Sequence, residues 1–199
     1  LHTSGSTGVP KGAALTHLGL LNTSFSLSEK MRLDATSTVL HYASLGFDSA
    51  TLEWLLALTN GAQLVIIPDD DRTAPDSLAE FVARKQVTHA IFPSTMLPYL
   101  EINRSYALKA MASVGDVADP SLLWQWTQKC SVFNGYGPME MSICTSLHSV
   151  QDAEPITLGK PIDRTEVLVV GDSGAPVDTD ELGELWATGV GLSLGYINN

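Results

Sequence analysis

The first twelve residues of the chain concentrate side chains that can bind phosphate. They read LHTSGSTGVPKG, a run of glycines and hydroxyl side chains with one lysine and little apolar content. Glycine lets the backbone approach a ligand closely, so that successive N–H groups converge on an anion. Hydroxyls add donors, and Lys11 adds a mobile positive charge. The segment predicts a phosphate-binding loop, although composition alone also permits an ordinary flexible loop. It is not a Walker A loop, because Pro10 precedes Lys11 and Gly12 follows it.

The order of these residues resembles the signature loop of the adenylate-forming enzymes. That superfamily includes acyl-CoA synthetases, luciferases and the adenylation domains of nonribosomal peptide synthetases. The resemblance implies that the loop holds the β- and γ-phosphates of ATP, with Lys11 and Thr7 acting in catalysis. The matching residues are Ser4, Gly5, Ser6, Thr7, Gly8, Pro10, Lys11 and Gly12.

A second motif, Asn134-Gly135-Tyr136-Gly137-Pro138-Met139-Glu140, resembles the adenylation-domain signature N-x-Y-G-P-T-E. The resemblance implies that Tyr136 stacks on adenine and that Asn134 and the Gly135 backbone contact its edge. An aromatic ring suits this role, since stacking on a base contributes about 1–3 kcal/mol.

Three further residues complete the expected ATP site. The resemblance implies that Glu140 binds Mg²⁺ on the ATP phosphates, a hard oxygen ligand for a hard cation. It also implies that Gly115 lets the backbone lie against the adenine, and we count Gly137 among the nucleotide-binding residues. Met139 replaces the family threonine and removes a hydroxyl that a thioether cannot replace.

The third motif, Gly46-Phe47-Asp48-Ser49, resembles the F-D-x-S segment of amino-acid-activating members. There the aspartate pairs with the α-ammonium of the substrate, which implies that role for Asp48. A buried carboxylate needs such a partner. Asp48 or Ser49 can also cap the helix that follows, so a purely structural role stays open for Asp48.

The resemblance aligns a side-chain pocket as well. Its residues are small or apolar and offer no counter-charge, which predicts an apolar or aromatic amino acid as substrate. These residues, each of which alone could be ordinary core, are Ser49, Leu52, Thr95, Ala112, Val114, Gly135, Ile143 and Cys144.

The elements that position these motifs alternate between short apolar strands and helices. We predict helices over 16–30, 77–85, 95–102 and 121–129, and a further helix after Asp48 or Ser49 that stops at Asn60-Gly61. We predict strands over 39–44, 64–67, 87–92, 112–114 and 131–133, and an acidic turn over 69–71. Such alternation indicates an α/β layered domain with a mostly parallel sheet. Segments 47–48, 93–94, 115–116 and 134–136 each follow a strand, so we expect them to meet in one crevice.

The pattern changes after Pro155. Segments 167–170 and 183–189 predict antiparallel strands with a Gly/Asp turn, the beginning of a small β-barrel subdomain. We therefore expect an α/β core over residues 1–154 and a partial β-subdomain over 155–199. We also expect the chain to be an excerpt of a larger protein, without the family's ribose-binding T-G-D motif or the lysine-bearing C-terminal lid subdomain, and inactive or nearly so by itself.

Composition restricts the partners. A net charge of −11 and a pI near 4.6 argue against nucleic acid as a ligand. No apolar run approaches the roughly 20 residues that span a bilayer, and no signal peptide is visible. The two cysteines, Cys130 and Cys144, lack metal-ligand spacing and favour a reducing compartment, so we expect a cytoplasmic protein without membrane contacts.

The set of motifs implies an adenylation domain of a nonribosomal peptide synthetase. The implied reaction, which uses Mg²⁺, converts an amino acid and ATP to aminoacyl-AMP and pyrophosphate. The aminoacyl group is then transferred to phosphopantetheine on a carrier protein. Carrier-protein and condensation domains of the same chain are the expected partners. Two alternatives stay open: an acyl- or aryl-CoA ligase of the same superfamily, and a degenerate nucleotide-binding module, which Met139 and Leu194 favour.

Overall fold

The centre of the fold is a seven-stranded sheet. The computed structural model describes residues 1–3 and 11–197, so six of the predicted phosphate-loop residues, Ser4, Gly5, Ser6, Thr7, Gly8 and Pro10, lie outside the described residues. The strands are β1 (His2–Thr3), β2 (Lys11–Ala13), β3 (Thr38–His41), β4 (Gln63–Ile66), β5 (His89–Pro93), β6 (Ala110–Val114), β7 (Ser131–Tyr136), β8 (Ser146–Ser149), β9 (Lys160–Pro161), β10 (Thr165–Val170), β11 (Glu184–Gly189) and β12 (Tyr196–Ile197).

Five α-helices and two 3₁₀ helices accompany these strands in the described part of the chain. The α-helices are α1 (His17–Met31), α2 (Asp48–Thr59), α3 (Asp69–Thr73), α4 (Pro75–Arg84) and α5 (Pro120–Thr127), and the 3₁₀ helices cover Ser94–Tyr99 and Met139–Met141. No helix among the described residues combines the length and apolar character that crossing a membrane requires.

Helices cover both faces of the central sheet, as alternate residues of its strands show. On β5, Ile91 joins the core cluster that contains Leu27 of α1 and Leu52 of α2. Its neighbour Phe92 joins the opposite cluster, with residues of α4 and α5 such as Trp126. Because successive strand side chains point to opposite faces, both faces of an internal strand must be apolar. This explains why the strands appear in the sequence as short, continuous apolar runs.

The strand order places a topological switch point in the middle of the sheet. The order is β4-β3-β5-β6-β7-β8-β9, with β3 to β7 parallel and the last two strands antiparallel. The chain leaves β3 towards β4 on one side and returns to β5 on the other. Ligands of open α/β sheets bind beyond the carboxyl ends of strands at such a point. The predicted α/β layered fold with a mostly parallel sheet is confirmed.

Two smaller antiparallel sheets flank the central one. Strands β10 and β11 pair from Thr165↔Gly189 to Val170↔Glu184, in agreement with the predicted antiparallel segment. Strand β2 lies between β1 and β12. The predicted division at residue 154 stays a prediction, and β9, just beyond it, pairs with β8 of the central sheet.

Local predictions were wrong at three places. The predicted helix over 95–102 is a 3₁₀ helix, Ser94–Tyr99, which contains Pro98 and its missing N–H donor. The acidic run expected as a turn begins the short helix α3. The N-cap of α2 is Phe47, whose side chain cannot accept a hydrogen bond, so Asp48 belongs to the first turn of the helix instead of capping it.

Candidate functional site

A cavity of about 940 Å³ lies at the carboxyl ends of β3, β5, β6 and β7. The segments that follow these four strands all line it, as the sequence predicts. From each segment one residue illustrates the convergence: Asp48 after β3, Ser94 after β5, Gly115 after β6 and Tyr136 at the end of β7. Residues that are far apart in the sequence therefore lie together at one edge of the sheet.

Hydrogen bonds between strand ends hold the rim of the cavity. The Ser94 hydroxyl donates to the carbonyl of Asp116 at 2.6 Å, and the Ser113 hydroxyl donates to Ser94 Oγ at 3.2 Å. Both serines are buried. The loop after β5 is therefore tied to the loop after β6, and the two walls keep a fixed separation.

Asp48 places a carboxylate on the wall of this cavity. Burial raises the pKa of Asp48, the nearby negative charge of Glu140 raises it further, and the backbone amides at the start of α2 lower it. The first two effects destabilise the ionised form, and a cation bound in the cavity would reverse them. The geometry fits the predicted contact with a substrate ammonium.

The predicted side-chain pocket is part of the cavity lining. All eight of its residues line the cavity, namely Ser49, Leu52, Thr95, Ala112, Val114, Gly135, Ile143 and Cys144. Two residues that sequence reasoning missed, Leu27 of α1 and Ile91 of β5, also line it. Both belong to regular apolar patterns that indicate only core. The wall is apolar, and burial raises the pKa of the Cys144 thiol to about 12, so this thiol is neutral at physiological pH.

The cavity lining also includes residues predicted to bind a nucleotide. Gly115 has a φ of 87°, and nothing lies within 4 Å of the position that a Cβ would take. Tyr136 is 38% exposed and lines the cavity, so its ring is accessible to a ligand there. Asn134 donates from Nδ2 to the carbonyl of Thr157 at 2.8 Å, which leaves Oδ1 as an acceptor. An open backbone, an exposed ring and a fixed amide suit a purine base.

Glycine allows close packing at two further positions of this segment. A Cβ on Gly135 would meet Val114 Cγ1 at 3.1 Å, and a Cβ on Gly137 would meet the carbonyl oxygen of Ile143 at 2.5 Å. The second distance is too short for any side chain. Gly137 therefore lets the strand end pack against 143–145 and keeps Asn134 and Tyr136 at the cavity.

Glu140, Lys11 and Tyr196 meet beside the cavity. The Tyr196 hydroxyl donates a hydrogen bond to Glu140 Oε1, and Lys11 Nζ lies 5.2 Å from the centre of the Tyr196 ring. Strand pairing between β2 and β12 brings the lysine and the tyrosine together. A single carboxylate fits Mg²⁺ bound mainly by phosphate oxygens and water. In the described part of the chain, no three His, Cys, Asp or Glu side chains cluster as an all-protein metal site.

Comparison with known proteins agrees with this geometry. The model of the family described as "AMP-binding enzyme" matches residues 1–197. The chain belongs to that family. Its nonribosomal peptide synthetase relatives belong to the ATP-dependent adenylate-forming ligases, and the chain corresponds to part of their adenylation domain.

Three relatives illustrate the similarity of this AMP-binding chain. It is 33% identical to bacitracin synthase 3 of Bacillus licheniformis over all of its own length and 3% of that protein. It is 34% identical to novobiocin biosynthesis protein H of Streptomyces niveus, over all of its length and 33% of that protein. The chain thus spans a third or less of these curated relatives.

The third relative is a solved structure, the N-terminal subdomain of Klebsiella oxytoca NpsA in complex with 3-hydroxybenzoyl-AMSN. It superimposes with a TM-score of 0.83 at 28% identity, over 98% of this chain and 52% of that one. An artificial adenylation–PCP fusion of NpsA with ThdA gives 0.82 at 29% identity, over 98% of this chain and 41% of the fusion.

The two departures from the family motifs lie in different environments of the AMP-binding chain. Met139 is 5% exposed and is not among the residues that line the cavity, so its side chain contributes to packing. Leu194, which replaces a family arginine, is 79% exposed. The methionine fills core space that a threonine would fill less completely.

Sequence reasoning missed a buried ionisable pair next to the site. Glu53 Oε2 lies 2.8 Å from His41 Nδ1, and Glu53 also accepts hydrogen bonds from backbone amides of the loop after β3. Burial raises the pKa of Glu53 to about 8 and lowers the pKa of His41. A single carboxylate within the apolar run of α2 was the available signal.

Proposed function

We propose that the chain forms the ATP- and substrate-binding part of an adenylation domain that activates an apolar or aromatic amino acid. The carrying observation is the Asp48 carboxylate, which lines the cavity together with the eight uncharged residues of the predicted side-chain pocket and the nucleotide-binding features. The other carboxylate of the cavity lining, Asp116, follows Gly115 after β6. An amino acid presents one cation next to its side chain, and Asp48 supplies the complementary charge. The pocket wall supplies no partner for a second charge.

In the proposed reaction, a carboxylate oxygen of the amino acid attacks the α-phosphorus of ATP. The new O–P bond forms as the bond from the α-phosphorus to the β-phosphate oxygen breaks, and pyrophosphate leaves with the electron pair. Two anions must approach, so positioning and charge neutralisation dominate the catalysis. Asp48 orients the acid through its ammonium, and Tyr136 and Asn134 orient the purine. Lys11 neutralises the departing phosphates, together with predicted loop donors such as Thr7.

Mg²⁺ supplies charge neutralisation on the phosphates when it is bound with ATP. In this proposal Glu140 would hold it, and Tyr196 would orient that carboxylate through its hydrogen bond. The loop residues Ser4, Gly5, Ser6 and Gly8 would complete the phosphate site, as the sequence predicts.

Transfer to a phosphopantetheine thiol of a carrier protein is the proposed second step. The relatives named as synthases and the NpsA–ThdA adenylation–PCP fusion support this partner, and condensation domains are proposed on the same basis. We propose that the protein works in the cytoplasm. Neither nucleic acid nor membrane is proposed as a partner.

A second candidate substrate is an aryl acid without an α-amine. NpsA was solved with a 3-hydroxybenzoyl ligand, and an apolar pocket of this kind also suits an aromatic ring. In that case Asp48 would lack its cation. The test must therefore compare acids with and without the amine.

The test is ATP–pyrophosphate exchange by the intact protein that contains this chain. The panel holds the standard amino acids, fatty acids and aryl acids. We expect exchange with one apolar or aromatic amino acid, and loss of it in Asp48→Ala but not in the control Glu80→Ala, which removes an exposed carboxylate of α4. Exchange only with acids that lack the amine would replace the proposal by the aryl or acyl ligase. Bound ATP without any exchange would indicate a degenerate module.

A further inference from the structure

The buried carboxylate of Glu53 ties α2 to the end of β3. Glu53 is 1% exposed. Its Oε2 accepts from the backbone N–H of Tyr42 at 3.0 Å, and both of its oxygens lie 3.1 Å from the backbone N of Ala43. His41 Nδ1 completes the set at 2.8 Å. The carboxylate is thus surrounded by three partners from consecutive residues.

The two backbone N–H groups that Glu53 binds lie beyond the end of the sheet, where no strand in the described part of the chain offers them an acceptor. The parallel pairing of β3 with β4 ends at His41↔Ile66, so the next two amides have left the sheet. Buried N–H groups need an acceptor, and Glu53 supplies it from the neighbouring helix.

These hydrogen bonds hold the start of the loop that leads from β3 to Asp48. The loop runs from Tyr42 to Phe47, and α2 begins at Asp48. Both loop ends line the cavity. Glu53 lies on α2 and binds the first two loop residues, Tyr42 and Ala43. It therefore connects the start of the loop to the helix that begins with Asp48. A displacement of about 1 Å at a substrate-orienting group is enough to reduce a rate by about 10²-fold.

We propose that Glu53, together with His41, is a positioning residue that sets the place of Asp48 and so governs recognition of the substrate amine. The inference rests on the proposed function. The nucleotide-binding features stand on β6 and β7, and the hydrogen bonds of Glu53 reach neither strand. Its influence is therefore selective for the acid substrate over MgATP.

Three variants separate this role from a general structural one. Glu53→Leu removes all three contacts, whereas Glu53→Gln keeps an acceptor for the amides and a donor for His41. Leu56→Ala is the matched control, because Leu56 is a buried residue of α2 that does not line the cavity. It weakens the packing of the same helix without touching the loop amides.

The experiment measures exchange by the intact protein with its preferred amino acid and with the des-amino analogue of that acid. In Glu53→Leu we expect the KM for the amino acid to rise at least tenfold and the preference for the amine to fall by a similar factor. The KM for MgATP should stay within twofold. Glu53→Gln should restore most of the preference, and Leu56→Ala should leave it unchanged.

Several results would overturn the inference. One is an unchanged amine preference in Glu53→Leu, and another is an equal loss in Leu56→Ala. If Glu53→Leu does not fold, His41→Leu decides with Glu53→Gln as its control, since a shift of the MgATP KM equal to that of the acid in His41→Leu would exclude selective positioning. A wild-type protein without amine preference contradicts the proposed function itself, whereas a wild-type preference that survives in Glu53→Leu contradicts the inference alone.

Discussion

The Tyr196 hydroxyl donates a hydrogen bond to the carboxylate of Glu140, which precedes it by 56 residues. The same tyrosine ring lies under the ammonium of Lys11. One side chain thus contacts both the proposed Mg²⁺ ligand and the proposed phosphate-binding lysine. Tyr196 can do so because β12 pairs with β2, which begins at Lys11.

The variant Tyr196→Phe tests the hydroxyl separately from the ring. It keeps the surface under Lys11 and removes the hydrogen bond to Glu140. Since a hydrogen bond to a charged group contributes about 1.5–3 kcal/mol, we expect the Mg²⁺ concentration for half-maximal exchange to rise roughly tenfold or more. Titration of exchange with Mg²⁺ measures this, with Tyr99→Phe as the control at another exposed tyrosine. Identical Mg²⁺ curves for both variants would contradict it.

Filling the pocket at Ala112 should change substrate size preference. Ala112 is fully buried on β6 and lines the cavity, so Ala112→Val adds two methyl groups against a bound side chain. We expect exchange with bulky acids to fall by about 10-fold or more relative to exchange with smaller ones, since strain of 1–3 kcal/mol is typical of overpacking. Ala110→Val is the matched control, because Ala110 is buried on the same face of β6 outside the cavity lining. A similar size profile in both variants would refute the prediction.

The stability of the protein should depend on pH through Glu53. Its pKa is about 8 in the folded protein against 4.5 for the ordinary group. Between pH 6.5 and 8 the folded state keeps a proton that the unfolded chain has released, so the free energy of unfolding falls as pH rises, by up to about 1.4 kcal/mol per pH unit. Below pH 6.5 the lowered pKa values of His41 and His89 oppose this trend, because their unfolded forms take up protons there.

Urea unfolding at pH 6.5 and pH 8 measures this dependence. Glu53→Gln cannot titrate and should lose most of the difference between the two pH values. The exposed carboxylate variant Glu80→Gln should keep it. If the stability of Glu53→Gln falls as steeply with pH as that of the wild type, Glu53 is not the group responsible.

The two cysteines should be unreactive in the folded protein. Burial raises the pKa of both Cys130 and Cys144 to about 12, from 9 for an ordinary thiol. Alkylation requires the thiolate, so at pH 8 the rate with iodoacetamide should be about 1000-fold lower than in the urea-unfolded chain. Mass spectrometry of timed samples gives both rates. Modification of folded Cys144 at the unfolded rate would show that the pocket opens to solvent.

The sequence predicts contiguous features of this protein well. The motif around Tyr136 and the segment around Asp48 carry their chemistry within a few residues, so their order alone indicates what they bind. Apolar periodicity predicts the layered sheet, because strands buried on both faces must be apolar throughout. Local rules also limit the prediction: Pro98 turns an expected α-helix into a 3₁₀ helix, and Phe47 instead of Asp48 takes the N-cap of α2.

Tertiary structure alone decides which distant side chains meet. Periodicity indicates that Leu27 and Ile91 are buried, but only the packing of α1 against β5 makes them pocket walls. The pairing of β12 with β2 brings Tyr196 to Glu140, and the early end of β3 gives Glu53 two amides to bind. A buried polar group needs a hydrogen-bond partner. The sequence indicates that need, but only the tertiary structure determines which residue is the partner.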